Sequence, residues 1–251
     1  MSINDTEESG RSEELIRSLR ENRSYVIRTT RMSPHQKNSL KRLRDRFCLP
    51  PIDPGSPGSG YNWETVFPHR AADPLRPVIL DIGFGMGGEL AELASERRDA
   101  DFLGIEVHAP GVGKLLSEIE RLELENVRIA QQDAVVVCGQ GVLPGSVAGV
   151  HLFFPDPWPK KRHHKRRLVR PGFPELVAPL LAPGGYLYMV TDWQDYAEQM
   201  LGVMEESAVL SNPHGGFAPP QPWRPQTAFE RKGLAKGHRI YELLYRCQDS
   251  S

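Results

Sequence analysis

The sequence predicts an α/β domain on a mostly parallel sheet over residues 61–251, preceded by a flexible basic arm and linker over residues 1–60. Three observations carry this expectation. Strand-like and helix-like segments alternate from Arg76 onward, a glycine-rich stretch (Asp81-Ile82-Gly83-Phe84-Gly85-Met86-Gly87-Gly88) follows the first strand-like run, and acids recur at successive strand ends. A chain of 251 residues is long enough to bury a substantial core.

In order along the chain, residues 1–20 read as disordered or weakly helical. Residues 49–60 are too rich in proline and glycine for regular structure. Residues 77–81 then read as a strand, 87–97 as a helix, 102–106 as a strand, 110–122 as a helix and 127–131 as a strand. Residues 147–154 form a largely apolar run, broken by His151, suited to a buried strand, followed by a helix over 173–181, a strand over 185–191 and a helix over 196–206. Residues 215–225 are a proline-rich loop, and 239–246 alternate as a last strand, antiparallel at the sheet edge.

Charge is nearly balanced, 31 Lys and Arg against 32 Asp and Glu, yet it is not evenly spread. Residues 160–170 hold seven Lys/Arg and no acid, and residues 20–46 hold nine against Glu21 and Asp45. The remainder is strongly acidic, so a polyanion would be attracted only at those two stretches. A solvated charge run is the bland alternative. Three widely spaced cysteines, Cys48, Cys138 and Cys247, suggest neither a disulfide framework nor a zinc site, and no His/Cys/Asp cluster has metal-ligand spacing. The polar N-terminus is unlike a signal peptide, and no apolar run approaches membrane-spanning length. A cytoplasmic protein with no membrane, metal or obligate protein partner is expected.

Gly83, Gly85 and Gly88 fit the spacing of dinucleotide-binding loops, which lets backbone approach a ligand and turn into a helix N-terminus. The acids narrow the ligand. Asp81 directly before the first glycine would repel a pyrophosphate but suits a cationic, phosphate-free ligand such as S-adenosylmethionine. Glu106 ends the second strand, where a carboxylate can accept both ribose hydroxyls, and Asp133 ends the third, placed for an adenine amino group. A helix N-cap is the structural alternative for each.

Asp156 follows the fourth strand, between Pro155 and Pro157, with Trp158 beside it to pack under the turn or stack on a base. The basic block follows at once. A fixed carboxylate beside a cationic strip suits chemistry on a base within a polyanion.

These residues resemble the tRNA (guanine-N7-)-methyltransferase family. The matching stretches are Asp81-Ile-Gly-Phe-Gly-Met-Gly, Phe102-Leu-Gly-Ile-Glu-Val-His, Phe153-Phe-Pro-Asp-Pro-Trp, Lys165-Arg-Arg, Thr191-Asp-Trp and Thr227-Ala-Phe-Glu. The likeness runs through residues 76–246 and, more loosely, 23–33. It implies a Rossmann-like class I fold with a seven-stranded sheet, and transfer of a methyl group from S-adenosylmethionine to N7 of guanine 46 in the tRNA variable loop. It implies cofactor contacts at Asp81, Gly83, Gly85, Glu106, Asp133 and Asp156, with Asp156 also catalytic. Substrate contacts are implied at Lys160, Asp192, Thr227, Phe229 and Glu230, and RNA contacts at Arg162, His163, His164, Lys165, Arg166 and Arg167. Asp81 stands where many members have Glu, and Lys232 where Arg is common, which puts bidentate phosphate recognition there in question.

Guanine N7 carries an in-plane lone pair, so attack on a methyl group needs no general base. Positive charge passes from sulfonium to purine, and catalysis rests on alignment and nearby carboxylates. Asp156, Asp192 and Glu230 are candidates for accepting from guanine N1–H and N2–H. Four rival readings stand beside this one: a nicotinamide-dependent oxidoreductase, a methyltransferase of another target, a non-catalytic RNA-binding module, and a structural or interaction protein, which would have no use for convergent acids at strand ends.

Overall fold

The computed structural model describes residues 13–26, 31–53, 60–207, 209–226, 228–235 and 237–247. Its helices are α1 (13–21), α2 (Pro34–Phe47), α3 (Trp63–Val66), α4 (Gly88–Glu96), α5 (Ala109–Arg121), α6 (Ala134–Val136), α7 (Phe173–Val177), α8 (Gln194–Ser207) and α9 (Ala228–Leu234). Its strands are β1 (Val78–Ile82), β2 (Asp101–Ile105), β3 (Val127–Ala130), β4 (Val147–Phe153), β5 (Leu181–Thr191) and β6 (Tyr241–Arg246).

The strands form one sheet in the order β3-β2-β1-β4-β5-β6, parallel except for β6, which runs antiparallel to β5. All five residues of β1 are buried, as a parallel strand covered on both faces requires. Alternation divides them: Val78, Leu80 and Ile82 enter the larger core with α7 and α8, while Ile79 faces the second core with α4 and α5. Connections reverse direction between β1 and β4, which opens a crevice at the carboxyl ends of those strands.

Six strands stand among the described residues, not seven. The outer flank of β6 is instead followed by an irregular segment, with Ser211 bridging Arg246 and Ala218 N–H donating to Glu242 O at 2.7 Å. Pro213 has no N–H to donate and Gly215 adopts φ +62°, so the ladder breaks between those contacts. The expected helix over 173–181 is also shorter. It passes at Ala178–Leu180 into a 3₁₀ turn, and β5 begins at Leu181.

Of the arm expected to be flexible, residues 1–12, 27–30 and 54–59 lie outside the described residues, and α1 and α2 pack against the domain. Ile16 and Leu19 of α1 are buried in the larger core. A capping box starts α2, with Ser33 Oγ accepting from Gln36 N–H and Gln36 Oε1 from Ser33 N–H. Helix α2 lies so close to α5 that a Cβ on Gly113 would sit 2.7 Å from Gln36 O, and Ser39 and Ser117 hydroxyls meet in the buried interface at 2.9 Å. Cys48 then bridges Ile129, and Leu49 N–H bonds Ile129 O at 2.8 Å, covering the exposed edge of β3. Two cations of α2 are ion-paired, Arg42 with Glu120 at 2.7 Å and Arg46 with Glu125 at 2.6 Å, and Arg44 donates to Gln131 at 2.7 Å. The second basic stretch is therefore a weaker positive field than its composition suggests.

Candidate active site

Gly83, Gly85 and Gly87 all have positive φ, turning the chain sharply from β1 into α4. The start of α5 supports this loop closely, since a Cβ on Gly111 would lie 2.0 Å from Gly85 O. Above the loop there is room: a Cβ on Gly83, Gly85 or Gly88 would meet nothing within 4 Å. Glu106, just past β2, is held rigid there. Its Oε2 accepts from Gly85 N–H at 3.0 Å, and its Oε1 from Val107 and His108 N–H at 2.7 and 3.0 Å. Three of the carboxylate's four lone-pair sites are thus taken, and Oε2 keeps one for a ligand hydroxyl.

Asp81 is 3% exposed, and burial first, then the Glu106 charge, pushes its carboxyl up to about 7. Asp133 accepts from Val135 N–H at 2.9 Å as the N-cap of α6, and its other oxygen takes the Tyr25 hydroxyl at 3.3 Å. It therefore caps α6 and anchors the arm, and Gln132 and Ala134 line the pocket beside it. This pocket, about 270 Å³, is walled by Gly83, Gly85, Glu106, Phe154 and Asp156, with Ser24 and Tyr25 closing it from the arm. The open glycine cradle and the preset Glu106 fit a nucleoside cofactor such as S-adenosylmethionine, while Asp81 is buried and is not among the residues lining this pocket. Among the described residues no group of three or more His, Cys, Asp or Glu could hold a metal ion.

A second cavity of about 790 Å³ lies on the other side of the Pro155-Asp156-Pro157 turn, lined by Asp156, Asp192, Trp193, His238 and Arg239. Asp192 Oδ2 lies 3.2 Å from His238 Nδ1. Phe154, Pro155 and Asp156 are common to both cavities, and Asp156 is exposed between them. Phe154 has φ +49°, a left-handed conformation that is costly for a bulky side chain and marks stored strain at this junction.

The basic block divides into faces. Residues 161–166 form a 3₁₀ helix, in which side chains three apart eclipse. One row points inward: His164 and then Arg167, which is 1% exposed and corrects the expectation that it contacts RNA. Its guanidinium donates to Pro157 O at 2.8 Å, Gln199 Oε1 at 2.7 Å and Asp195 Oδ2 at 2.5 Å, and lies over the Tyr196 ring. A second row meets the arm. His163 packs edge-on to Trp158, and Arg166 stacks on that ring at 4.2 Å while donating to Arg23 O and Tyr25 O. Trp158 donates in turn to Ser24 O at 3.1 Å, so it serves the arm rather than standing free to stack on a base. Arg170 binds Asn22 O, Lys165 O and Leu19 O. Lys160, Lys161, Arg162 and Lys165 remain on the exposed face.

Glu230 is 3% exposed and held by Arg224 through bonds of 2.6 and 2.7 Å, so it braces α9 instead of facing a substrate. Arg224 also donates to Glu242 at 2.9 Å, and Tyr188 bonds the same carboxylate. Thr227 and the Phe229 and Lys232 side chains lie outside the described residues. Residues that sequence reasoning missed are Tyr25, Phe154, Arg224, His238 and Glu89. Only Glu89 carried a local signal, since it follows the glycine loop in the first turn of a helix.

The family model described as "Putative methyltransferase" matches residues 75–243. The tRNA (guanine-N(7)-)-methyltransferase of Paraburkholderia xenovorans (strain LB400) is 49% identical over 224 residues, 89% of this chain and 82% of that protein. The one of Burkholderia thailandensis is 47% identical over 228 residues, 91% of this chain and 82% of that protein. That of Thiobacillus denitrificans is 46% identical, covering 89% of this chain and 94% of the relative. With the glycine cradle, the acids at the sheet's carboxyl edge and identity near one half over nine-tenths of its length, the chain belongs to the tRNA (guanine-N(7)-)-methyltransferase family.

Proposed function

We propose that this protein transfers the methyl group of S-adenosylmethionine to N7 of guanine 46 in the tRNA variable loop. The observation that carries this reading is the position of Asp156, on the wall shared by the glycine-loop pocket and the Asp192 cavity. Glu106 would hold the ribose hydroxyls, and the backbone at Gly83 and Gly85 would face the rest of the cofactor. When bound, the cofactor supplies an electrophilic methyl group.

On the other side, Asp192 faces the purine and accepts from its N1–H and N2–H edge, a donor pair that adenine lacks. His238 fixes the Asp192 carboxylate for that task. Asp156 stabilises the cationic purine as charge arrives, which is worth most where water is excluded. No residue needs to remove a proton from N7. Lys160, Lys161, Arg162 and Lys165 present a cationic strip beside the second cavity for the tRNA backbone.

Asp156→Ala should lower the single-turnover methylation rate, at saturating cofactor and tRNA, by about 10²–10³-fold. A rate restored fully by saturation would make Asp156 a binding residue and remove it from the chemistry.

A further inference from the structure

We propose that Glu89 is a cofactor-binding carboxylate, aimed at the ammonium group on the amino-acid tail of S-adenosylmethionine. The inference rests on the reading of the cleft given above. A pocket of about 270 Å³ is at the small end for a ligand of this size, so part of the molecule must extend beyond it. One adjoining cavity holds Asp156 and Asp192 and is needed for the acceptor base. The other, about 710 Å³, shares Gly83, Gly85 and Phe154 with the pocket and runs along the glycine loop to Glu89. That route leaves the adenosine at Glu106 and carries the tail over Gly83–Gly88.

The charges along this route call for a cation. Glu89 Oε1 is buried and accepts no hydrogen bond. Its nearest cation, Arg224, stands 3.9 Å away, too far for a hydrogen bond, and is already divided between Glu230 and Glu242. Asp81, Glu92 and Glu230 add negative charge around Glu89. A buried, unmatched carboxylate is costly on its own, and an ammonium donor placed against it removes that cost.

The test uses three ligands and the whole protein in calorimetry. S-adenosylmethionine and S-adenosylhomocysteine carry the ammonium tail; 5′-methylthioadenosine keeps the adenosine without it. Glu89→Gln is isosteric with the protonated carboxyl that burial and neighbouring acids favour in the ligand-free protein, so its urea midpoint near pH 7 should stay close to the parent's. It should weaken both tailed ligands by about tenfold or more and change 5′-methylthioadenosine by less than about twofold. Glu89→Asp should fall between. Unchanged affinity for the tailed ligands, or an equal loss for all three, would overturn the assignment of Glu89. Failure of the parent protein to bind any of them would overturn the reading of the cleft, and this assignment with it.

Discussion

Two sets of cations in one short run should fail in opposite ways when removed. Lys160, Lys161, Arg162 and Lys165 are exposed, whereas Arg167 is 1% exposed and bonded to Pro157 O, Gln199 Oε1 and Asp195. Replacing the four exposed residues with Ala removes up to four phosphate contacts, each about 0.9 in the slope of log affinity against log salt. The slope should therefore become shallower by up to about 3.6, with little change in stability. Arg167→Ala strips two part-buried acceptors, Pro157 O and Gln199 Oε1, of their donor and leaves a cavity beside Tyr196. The partner Asp195 is 62% exposed, so that ion pair adds little, and the loss comes from the unsatisfied acceptors and missing contacts. A destabilisation of about 3–5 kcal/mol follows, with a salt slope close to the parent's. Filter binding of tRNA across a salt series and urea unfolding measure both quantities. A large slope change in Arg167→Ala with parental stability would refute the division of the block into faces.

Glu106→Ala should weaken S-adenosylmethionine binding by about 1.5–3 kcal/mol in calorimetry while leaving tRNA affinity near the parent's; no change would remove Glu106 from the pocket. Arg224→Ala leaves Glu230 and Glu242 buried without their cation, so thermal unfolding should report a loss of about 3–5 kcal/mol, and a change under 1 kcal/mol would contradict the buried network. Burial and neighbouring acids raise Asp81 to about 7 and Glu89 to about 9, so the native state holds protons that the unfolded chain has released. Stability of the ligand-free protein should then fall as pH rises from 6.5 to 8.5, by at most about 1.4 kcal/mol per pH unit for each proton. Buried His151, depressed to about 3, acts in the opposite direction up through the unfolded imidazole's titration near 6.5, so it offsets part of the fall only at the lower edge of that window. The fall should be smaller in Glu89→Gln, and an identical pH dependence in both proteins would contradict the charge reading around Glu89.

The sheet and its carboxyl edge were legible because apolar runs place β1 to β4 and an acid stands within three residues of each strand's carboxyl end. Asp81, Glu106 and Asp156 converge there for that reason. Contacts made across the sequence were not legible. Arg167 reads as one cation among seven, and its burial depends on 3₁₀ phasing plus Gln199 and Asp195 in α8. Glu230 reads as an open carboxylate because Arg224 sits in a proline-rich loop with no periodicity to orient it. Asp133 caps α6 through the nearby Val135 N–H, a role its place before the helix allows, whereas its second contact, Tyr25, lies more than a hundred residues away and leaves no local signal. The seventh strand was expected from resemblance alone, and Pro213 with Gly215 breaks the ladder where it would run.

The central claim is tested most directly by incubating the protein with methyl-labelled S-adenosylmethionine and bulk tRNA, then digesting the RNA and identifying the labelled nucleoside. The account predicts 7-methylguanosine in the variable loop, with a fixed positive charge that makes the tRNA cleave at that site under mild alkali and aniline. Label on an exocyclic amino nitrogen or a ribose oxygen, or no label in tRNA, would contradict it.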